Sequence, residues 1–137
     1  MVAPNYQHTN QIETKGFQIS ELPTVEEVDY LSSKLKQLLW EFKQALKQLY
    51  GERLADLVLF GSFARHEETK DSDVDVLIVL KDRDVSPGDE IWRMGDAEIE
   101  LLLKYGELIS IIPISLDNFL HRDSPLLRNI RREGVLV

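Results

Sequence analysis

The sequence predicts one α/β (α+β) domain, in which a small mixed β-sheet is covered by helices. Three short apolar runs have the length and composition of buried strands, at 54–60, 73–80 and 108–115. Amphipathic helical patterns surround them in the order helix, strand, strand, helix, strand, helix. With 137 residues and no internal repeat, the chain has the length for one hydrophobic core.

The chain begins with a polar stretch, residues 1–20, which we predict to be a mobile tail, and residues 21–137 are predicted to form the domain. Thr24 and Glu27 have the spacing of a capping box and predict the start of a long first helix. Apolar residues then recur at helical spacing, and Gly51 is placed to end the helix. We expect this apolar stripe to face the core.

The predicted strands differ in how their faces are buried. The run 73–80 is apolar on both faces beyond Asp75, which predicts a central strand. The run 108–115 contains Pro113, which cannot donate a hydrogen bond to a neighbouring strand. We therefore expect Pro113 to lie near a strand end or on an edge strand.

Two further helices begin at a serine followed by a proline, a pattern that suits the first helical turn. Ser86 precedes the first of them, and Gly106 is placed to end it. Ser124 precedes the second, which Gly134 ends. For the helix after Ser86 we predict a buried side made of Ile91, Met94, Leu101, Leu102 and Tyr105.

Composition limits the classes of function. Sixteen basic residues against twenty-four acidic ones give a net charge of −8, which disfavours broad nucleic-acid binding, because such binding depends on neutralising phosphates. The chain has no cysteine, which excludes disulfides and thiolate metal sites and fits a reducing cytosol. No apolar run reaches the length of a membrane span, and the first residues lack a signal-peptide pattern. We predict a cytoplasmic protein that does not associate with membranes.

Asp73 and Asp75 lie two residues apart at the start of the predicted central strand, so their side chains share one face. Two ionised, half-buried carboxylates repel each other unless a cation lies between them. Mg²⁺ suits this position, with Mn²⁺ as the alternative, because hard cations prefer oxygen ligands from one or two carboxylates plus substrate phosphates. An isolated pair of this kind is more often a solvated strand entrance.

Gly61 and Ser62 follow the first predicted strand directly. A glycine at such a turn lets the backbone approach a ligand closely, and exposed N–H groups there favour phosphate. The Ser62 hydroxyl can donate a hydrogen bond as well. Combined with the two carboxylates, this turn predicts a nucleoside triphosphate bound together with Mg²⁺.

The segment from Gly61 to Asp75 resembles the nucleotidyltransferases of the DNA polymerase beta superfamily. It has Gly-Ser, then ten residues, then Asp-x-Asp, and the residues between them include Ala64, Arg65, Glu67 and Ser72. It is most similar to the minimal type, small proteins often encoded beside a HEPN-domain toxin. The resemblance extends from the first long helix to the C-terminus. It implies two-metal transfer of a nucleotidyl group, often AMP, from a triphosphate such as ATP to a hydroxyl, which in antitoxin members is a tyrosine hydroxyl on the toxin.

The resemblance also implies roles for individual residues. Gly61 and Ser62 would hold the β- and γ-phosphates, and Ser72 would lie in the nucleotide-binding segment. Asp73 and Asp75 would bind Mg²⁺ and act as the catalytic carboxylates.

Two positions next to the motif carry alternatives. Arg65 is expected either to assist at phosphate or to lie on the helix surface, paired with Glu67 or Glu68. Residue 66 is His where the family often has Gly, and we expect that side chain to be structural or solvent-facing.

The third carboxylate that active members usually supply from a neighbouring strand is not evident in this chain. Ser110 occupies the place where it is expected, and serine carries no charge and is not basic near neutral pH. Glu107 is the best substitute in sequence because it borders that strand.

Two functions therefore compete. The first is an active nucleotidyltransferase that modifies a partner protein as an antitoxin, and the second is a weak or inactive nucleotide-binding subunit that docks a HEPN-type partner. Nucleotide addition to RNA is a third possibility, which the acidic balance disfavours although Arg128, Arg131 and Arg132 predict a small basic face. The long first helix is the best candidate for association with a partner or with a second copy.

Overall fold

A four-stranded mixed sheet forms the centre of the computed structural model, which describes residues 16–137. The strands are β1 (Leu54–Phe60), β2 (Val74–Leu80), β3 (Ile109–Ser115) and β4 (Val135–Leu136). The helices are α1 (Ser33–Tyr50), α2 (Gly61–Ala64), α3 (Pro87–Tyr105), α4 (Leu116–His121) and α5 (Pro125–Glu133). Single 3-10 turns cover Ile19–Glu21 and Gly51–Arg53. The predicted fold class, a small mixed sheet covered by helices, is confirmed.

The strand order across the sheet is β3, β2, β1, β4. Strand β1 is antiparallel to both β2 and β4, whereas β2 and β3 are parallel. Strand β2 is central, as its apolar sequence predicts, and every residue from Val76 to Leu80 is buried. Pro113 lies on β3, an edge strand, where its missing N–H breaks no ladder bond on the outer side.

Each face of the sheet carries its own apolar core, because side chains along a strand alternate between faces. Val76 points toward α1 and α3, where Phe42 and Met94 are fully buried. Leu77 points the other way, into a cluster with Phe119 of α4 and residues of α5. The sheet is therefore a layer between two sets of helices.

The first helix begins later than its sequence predicts. The Ser32 hydroxyl accepts a hydrogen bond from the Leu35 N–H at 3.1 Å and caps α1. The expected start at Thr24 is wrong because that backbone is used elsewhere: Thr24 forms a parallel bridge with Leu136, and the Val25 N–H donates to the Leu136 carbonyl at 2.9 Å. The capping-box spacing at Thr24 gives a turn instead of a helix.

The buried side of α3 also differs from the prediction. Met94 and Leu101 are buried, but Ile91 and Leu102 are exposed by 44% and 37%. The core-facing stripe passes instead through Glu90, whose carboxylate accepts a 2.6 Å hydrogen bond from the Tyr50 hydroxyl. A hydrophobicity pattern assigns a charged residue such as Glu90 to the surface, but the hydrogen bond from Tyr50 allows Glu90 to be buried.

Two short elements have no counterpart in the sequence prediction. Helix α4 follows the cap Ser115, whose hydroxyl accepts from the Asn118 N–H at 3.1 Å. Strand β4 has only two residues, too few for a periodic pattern, and pairs with β1. Phe119 of α4 also packs in the cluster with Leu77 and Ile130, so both elements depend on partners distant in sequence.

The predicted tail falls mostly outside the described residues, which begin at Gly16. The boundary between residues 20 and 21 stays a prediction. Phe17 packs edge-on against Phe119, with ring centroids 5.7 Å apart. Among the helices of residues 16–137, none has the length and hydropathy that crossing a bilayer requires.

The start of α1 can be tested by removing caps. Ser32→Ala should lower the free energy of unfolding by about 1 kcal/mol, because the first turn loses its side-chain acceptor. Chemical denaturation measures the loss, with Thr24→Ala as the matched control at the start that the sequence predicts. A larger loss for Thr24→Ala than for Ser32→Ala would contradict the observed helix start.

Candidate functional site

The end of strand β1 and the start of strand β2 bring a glycine turn against a carboxylate. Antiparallel pairing places Phe60 opposite Asp75, so the chain turns into α2 at Gly61 directly beside the Asp75 side chain. Gly61 has φ 77, and a Cβ built on it would lie 2.3 Å from Asp75 Oδ2. Only glycine fits both the backbone angle and the close approach. The structure therefore joins the predicted phosphate turn to the predicted metal ligand.

The two aspartates interact electrostatically. Asp75 is half-buried and Asp73, one residue before β2, is exposed. Burial raises the pKa of the Asp75 carboxyl, the negative charge of Asp73 raises it further, and the positive charge of Arg65 partly offsets both. A divalent cation between the two carboxylates would relieve this repulsion, so the residues present fit the metal that the sequence predicts.

The third predicted position lies beside Asp75. Parallel pairing of β2 with β3 sets Ser110 opposite Asp75, on an exposed part of the edge strand. Glu107 is engaged elsewhere, because its carboxylate accepts from Lys34 Nζ at 3.1 Å. Within residues 16–137, no group of three acidic, histidine or cysteine side chains is arranged to hold a metal ion. The site therefore offers two carboxylates, and substrate phosphates would supply further ligands.

Ser72 shapes the turn that leads into the carboxylates. Its hydroxyl accepts from the Thr69 N–H at 2.9 Å, and its own N–H donates to the Thr69 carbonyl at 3.1 Å. This pair of bonds fixes the approach to Asp73. Direct contact of Ser72 with a nucleotide stays a prediction.

Arg65 forms the surface pair that the sequence offers as one alternative, and its assistance at phosphate stays a prediction. Its Nε donates to Glu67 Oε1 at 2.9 Å, which is the surface pair. Its guanidinium also lies 3.6 Å from Glu133 at the end of α5 and acts on the Asp75 carboxyl through its charge. Glu133 is absent from the sequence prediction, since nothing in its local pattern connects it to a loop far away in the chain.

His66 adopts a left-handed backbone conformation, with φ 59, which glycine adopts more readily than any other residue. Tyr30 supports it: the two rings are stacked with centroids 4.9 Å apart and planes 18° apart. The Tyr30 hydroxyl also donates to the Ala64 carbonyl at the end of α2. Tyr30 thus holds the turn next to the site from a distant position that the sequence prediction missed.

The predicted basic face on α5 is largely engaged within the domain. Arg131 donates to the carbonyls of Phe119 and Arg122, at 2.7 Å and 3.2 Å. Arg128 pairs with the carboxylate of Asp123. These contacts give the arginines structural partners and weaken the case for an RNA-binding surface.

Comparison with known proteins identifies relatives for most of the domain. A family model described as "nucleotidyltransferase domain" matches residues 39–133. "Putative protein adenylyltransferase MJ0604" of Methanocaldococcus jannaschii is 38% identical over 96 residues, which are 69% of this chain and 88% of that protein. "Putative protein adenylyltransferase MJ1305" of the same organism is 36% identical over 83 residues, 61% of this chain and 55% of that protein.

A solved structure of a mutant of the toxin–antitoxin pair MntA-HpeT has a chain that covers 69% of this one. The alignment takes in 70% of that chain, with 17% sequence identity and a TM-score of 0.43. A likeness of this strength has no bearing on function.

The raised pKa of the Asp75 carboxyl leads to a prediction about stability and metal binding. Because its folded-state pKa is raised, the contribution of Asp75 to the free energy of unfolding is most favourable at low pH and falls as the pH rises through that pKa. Asp75→Asn should therefore raise the melting temperature at neutral pH without metal, on the order of a degree or two, and the difference should vanish in acid. Mg²⁺-dependent ATP binding should weaken at least tenfold.

Differential scanning calorimetry and titration calorimetry measure these two effects. Asp71→Asn is the matched control, because Asp71 is exposed in the same loop. Unchanged ATP affinity in Asp75→Asn would remove this carboxylate from the site.

The strain at His66 can be separated from its stacking. His66→Ala loses the ring contact and keeps an unfavourable backbone angle, whereas His66→Gly loses the contact and relieves the angle. We expect His66→Gly to be more stable than His66→Ala by about 1 kcal/mol in chemical denaturation. The opposite order would show that residue 66 does not hold a left-handed conformation in solution.

Proposed function

Because the chain belongs to the nucleotidyltransferase domain family, we propose that it transfers AMP from ATP to a hydroxyl on a partner protein in a Mg²⁺-dependent reaction. The observation that carries this proposal is the close approach of Asp75 to Gly61, which unites a metal-binding carboxylate with a phosphate turn. The two Methanocaldococcus relatives, whose names describe protein adenylyltransferases, support AMP and a protein acceptor.

Asp73 and Asp75 would hold Mg²⁺ in this reaction. When bound, the metal neutralises the triphosphate and stabilises charge on the attacking and leaving oxygens. Gly61 allows the β- and γ-phosphates to approach the backbone, and the first N–H groups of α2 have no partner within the helix. The Ser62 hydroxyl adds a donor beside them.

In the transfer itself, the acceptor oxygen forms a bond to the α-phosphorus, the bond to pyrophosphate breaks, and the acceptor proton leaves. A carboxylate beside the acceptor would take this proton, but Ser110 stands at the position next to Asp75. Transfer to a hydroxyl should therefore be slow unless the partner supplies a base. This feature makes the reaction depend on the correct acceptor.

The serine at position 110 also favours a second function. Ser110 and the Lys34–Glu107 ion pair leave two carboxylates at the site, which also fits a nucleotide-binding subunit that docks a HEPN-type partner as its antitoxin without modifying it. Both functions place the protein beside a HEPN-domain partner in the cytoplasm. They differ in whether a covalent product forms.

Labelled ATP distinguishes the two functions. Incubation of the protein with ATP carrying an α-phosphate label, Mg²⁺ and the product of the adjacent gene should transfer label to that partner. Asp73→Asn combined with Asp75→Asn should abolish the transfer while the fold persists, as circular dichroism would check. A stable complex without label would establish the docking subunit instead.

Replacing Ser110 tests the missing carboxylate. Ser110→Asp adds a charged oxygen beside Asp75, and we expect the rate of Mg²⁺-dependent transfer to rise at least tenfold. Ser110→Asn is the control of equal size without the charge and should leave the rate near that of the unchanged protein. Equal rates for Ser110→Asp and Ser110→Asn would show that residue 110 does not act on the reaction.

A further inference from the structure

Helix α3 exposes a broad apolar surface on the side turned away from the core. We name it the outer face of α3, made of Ile91, Trp92, Gly95, Ile99 and Leu102. Trp92 is 87% exposed, and the neighbouring Leu103 is 81% exposed. Together with Leu108, the outer face lines a groove of about 480 Å³. Contiguous exposure of large apolar side chains is typical of a protein–protein contact.

Glycines make the outer face suitable for a helical partner. Gly88, Gly95 and Leu102 lie seven residues apart. Residues with this spacing lie along one side of a helix and can contact a second helix that packs alongside it. Gly95 lies in the helix interior, where glycine is less stable than alanine. A Cβ built on Gly95 would meet nothing within 4 Å, so packing inside this domain does not require glycine there. The space in front of it is available to a side chain from outside.

Charge specifies the chemistry of the partner. Asp96 and Glu98 line the groove, and neither forms an ion pair or side-chain hydrogen bond with another residue of 16–137. Glu98 is half-buried, and burial raises the pKa of its carboxyl. Because side chains two positions apart on a helix do not face each other, two separate basic side chains, one beside Asp96 and one beside Glu98, would offset these negative charges.

A second copy of this chain is a poor occupant for the same reason. Its own outer face would bring the same two carboxylates, Asp96 and Glu98, and would offer no lysine or arginine from the groove lining to meet them. The segment before Gly16 is disfavoured by position, because Phe17 packs against Phe119 on the opposite face of the sheet from α3.

From these observations we infer that the outer face of α3 docks an amphipathic helix of a partner protein, with lysine or arginine flanking its apolar stripe. The partner of the proposed function could supply this helix. Peptide binding tests the inference, and its result does not depend on whether the protein transfers a nucleotidyl group. Asp75 and α3 lie on opposite faces of the sheet. Docking at α3 therefore leaves the nucleotide site open.

Two synthetic helices provide the test. Each has 19 residues and the same leucine stripe, flanked by lysines in one peptide and by glutamates in the other. The full chain carries Trp40→Phe, so that Trp92 is its only tryptophan. The lysine peptide should shift Trp92 emission to shorter wavelength and bind at least tenfold more tightly than the glutamate peptide.

Two variants show whether binding uses the groove. Gly95→Ala should raise the melting temperature, because alanine favours the helix. It should also lower the affinity for the lysine peptide at least tenfold, because the added methyl group fills the space that the partner needs. Asp96→Asn combined with Glu98→Gln should bring the two peptides to within threefold of each other.

Four results would overturn the inference. The first is that the lysine peptide does not bind, and the second is that both peptides bind equally well. The third is that the unmodified chain sediments as a dimer and that Ile99→Asp makes it a monomer. The fourth is a shift of Trp92 emission to longer wavelength when residues 1–15 are removed, which would show that the chain's own segment covers the face.

Discussion

The repulsion between Asp73 and Asp75 is the constraint around which the rest of this structure is arranged. A half-buried carboxylate with a like charge next to it destabilises the folded state at neutral pH. The β1–β2 register nevertheless presses Asp75 against Gly61, at a turn where no other residue type fits. A fold without a cationic ligand gains nothing from this arrangement, whereas a fold that binds a metal with a polyphosphate needs it.

The surroundings of the pair keep it in place without neutralising it. Ser72 fixes the turn before Asp73, and Tyr30 braces the strained turn at His66. Arg65 is the positively charged residue that acts on this pair, but its guanidinium also forms ion pairs with Glu67 and with a carboxylate of α5. The site therefore keeps a net negative character that a divalent ion can complement.

Local sequence patterns predict the central strands and the glycine–serine turn because short-range chemistry determines them. The positions of β1 and β2 follow from apolar runs, and the motif between Gly61 and Asp75 lies within a single hairpin-like connection. Features that depend on distant partners could not be predicted this way. Thr24 joins the sheet through Leu136, and Glu90 is buried where the hydroxyl of the distant Tyr50 donates to its carboxylate. Neither contact leaves a mark in the neighbouring sequence.

A crystal grown with Mn²⁺ and a non-hydrolysable ATP analogue would show whether Asp73 and Asp75 bind a metal together with a triphosphate. We expect an anomalous scattering peak within coordination distance of carboxylate oxygens of both Asp73 and Asp75, with the terminal phosphates against Gly61 and Ser62. Nucleotide bound elsewhere, or a peak that touches neither aspartate, would contradict it.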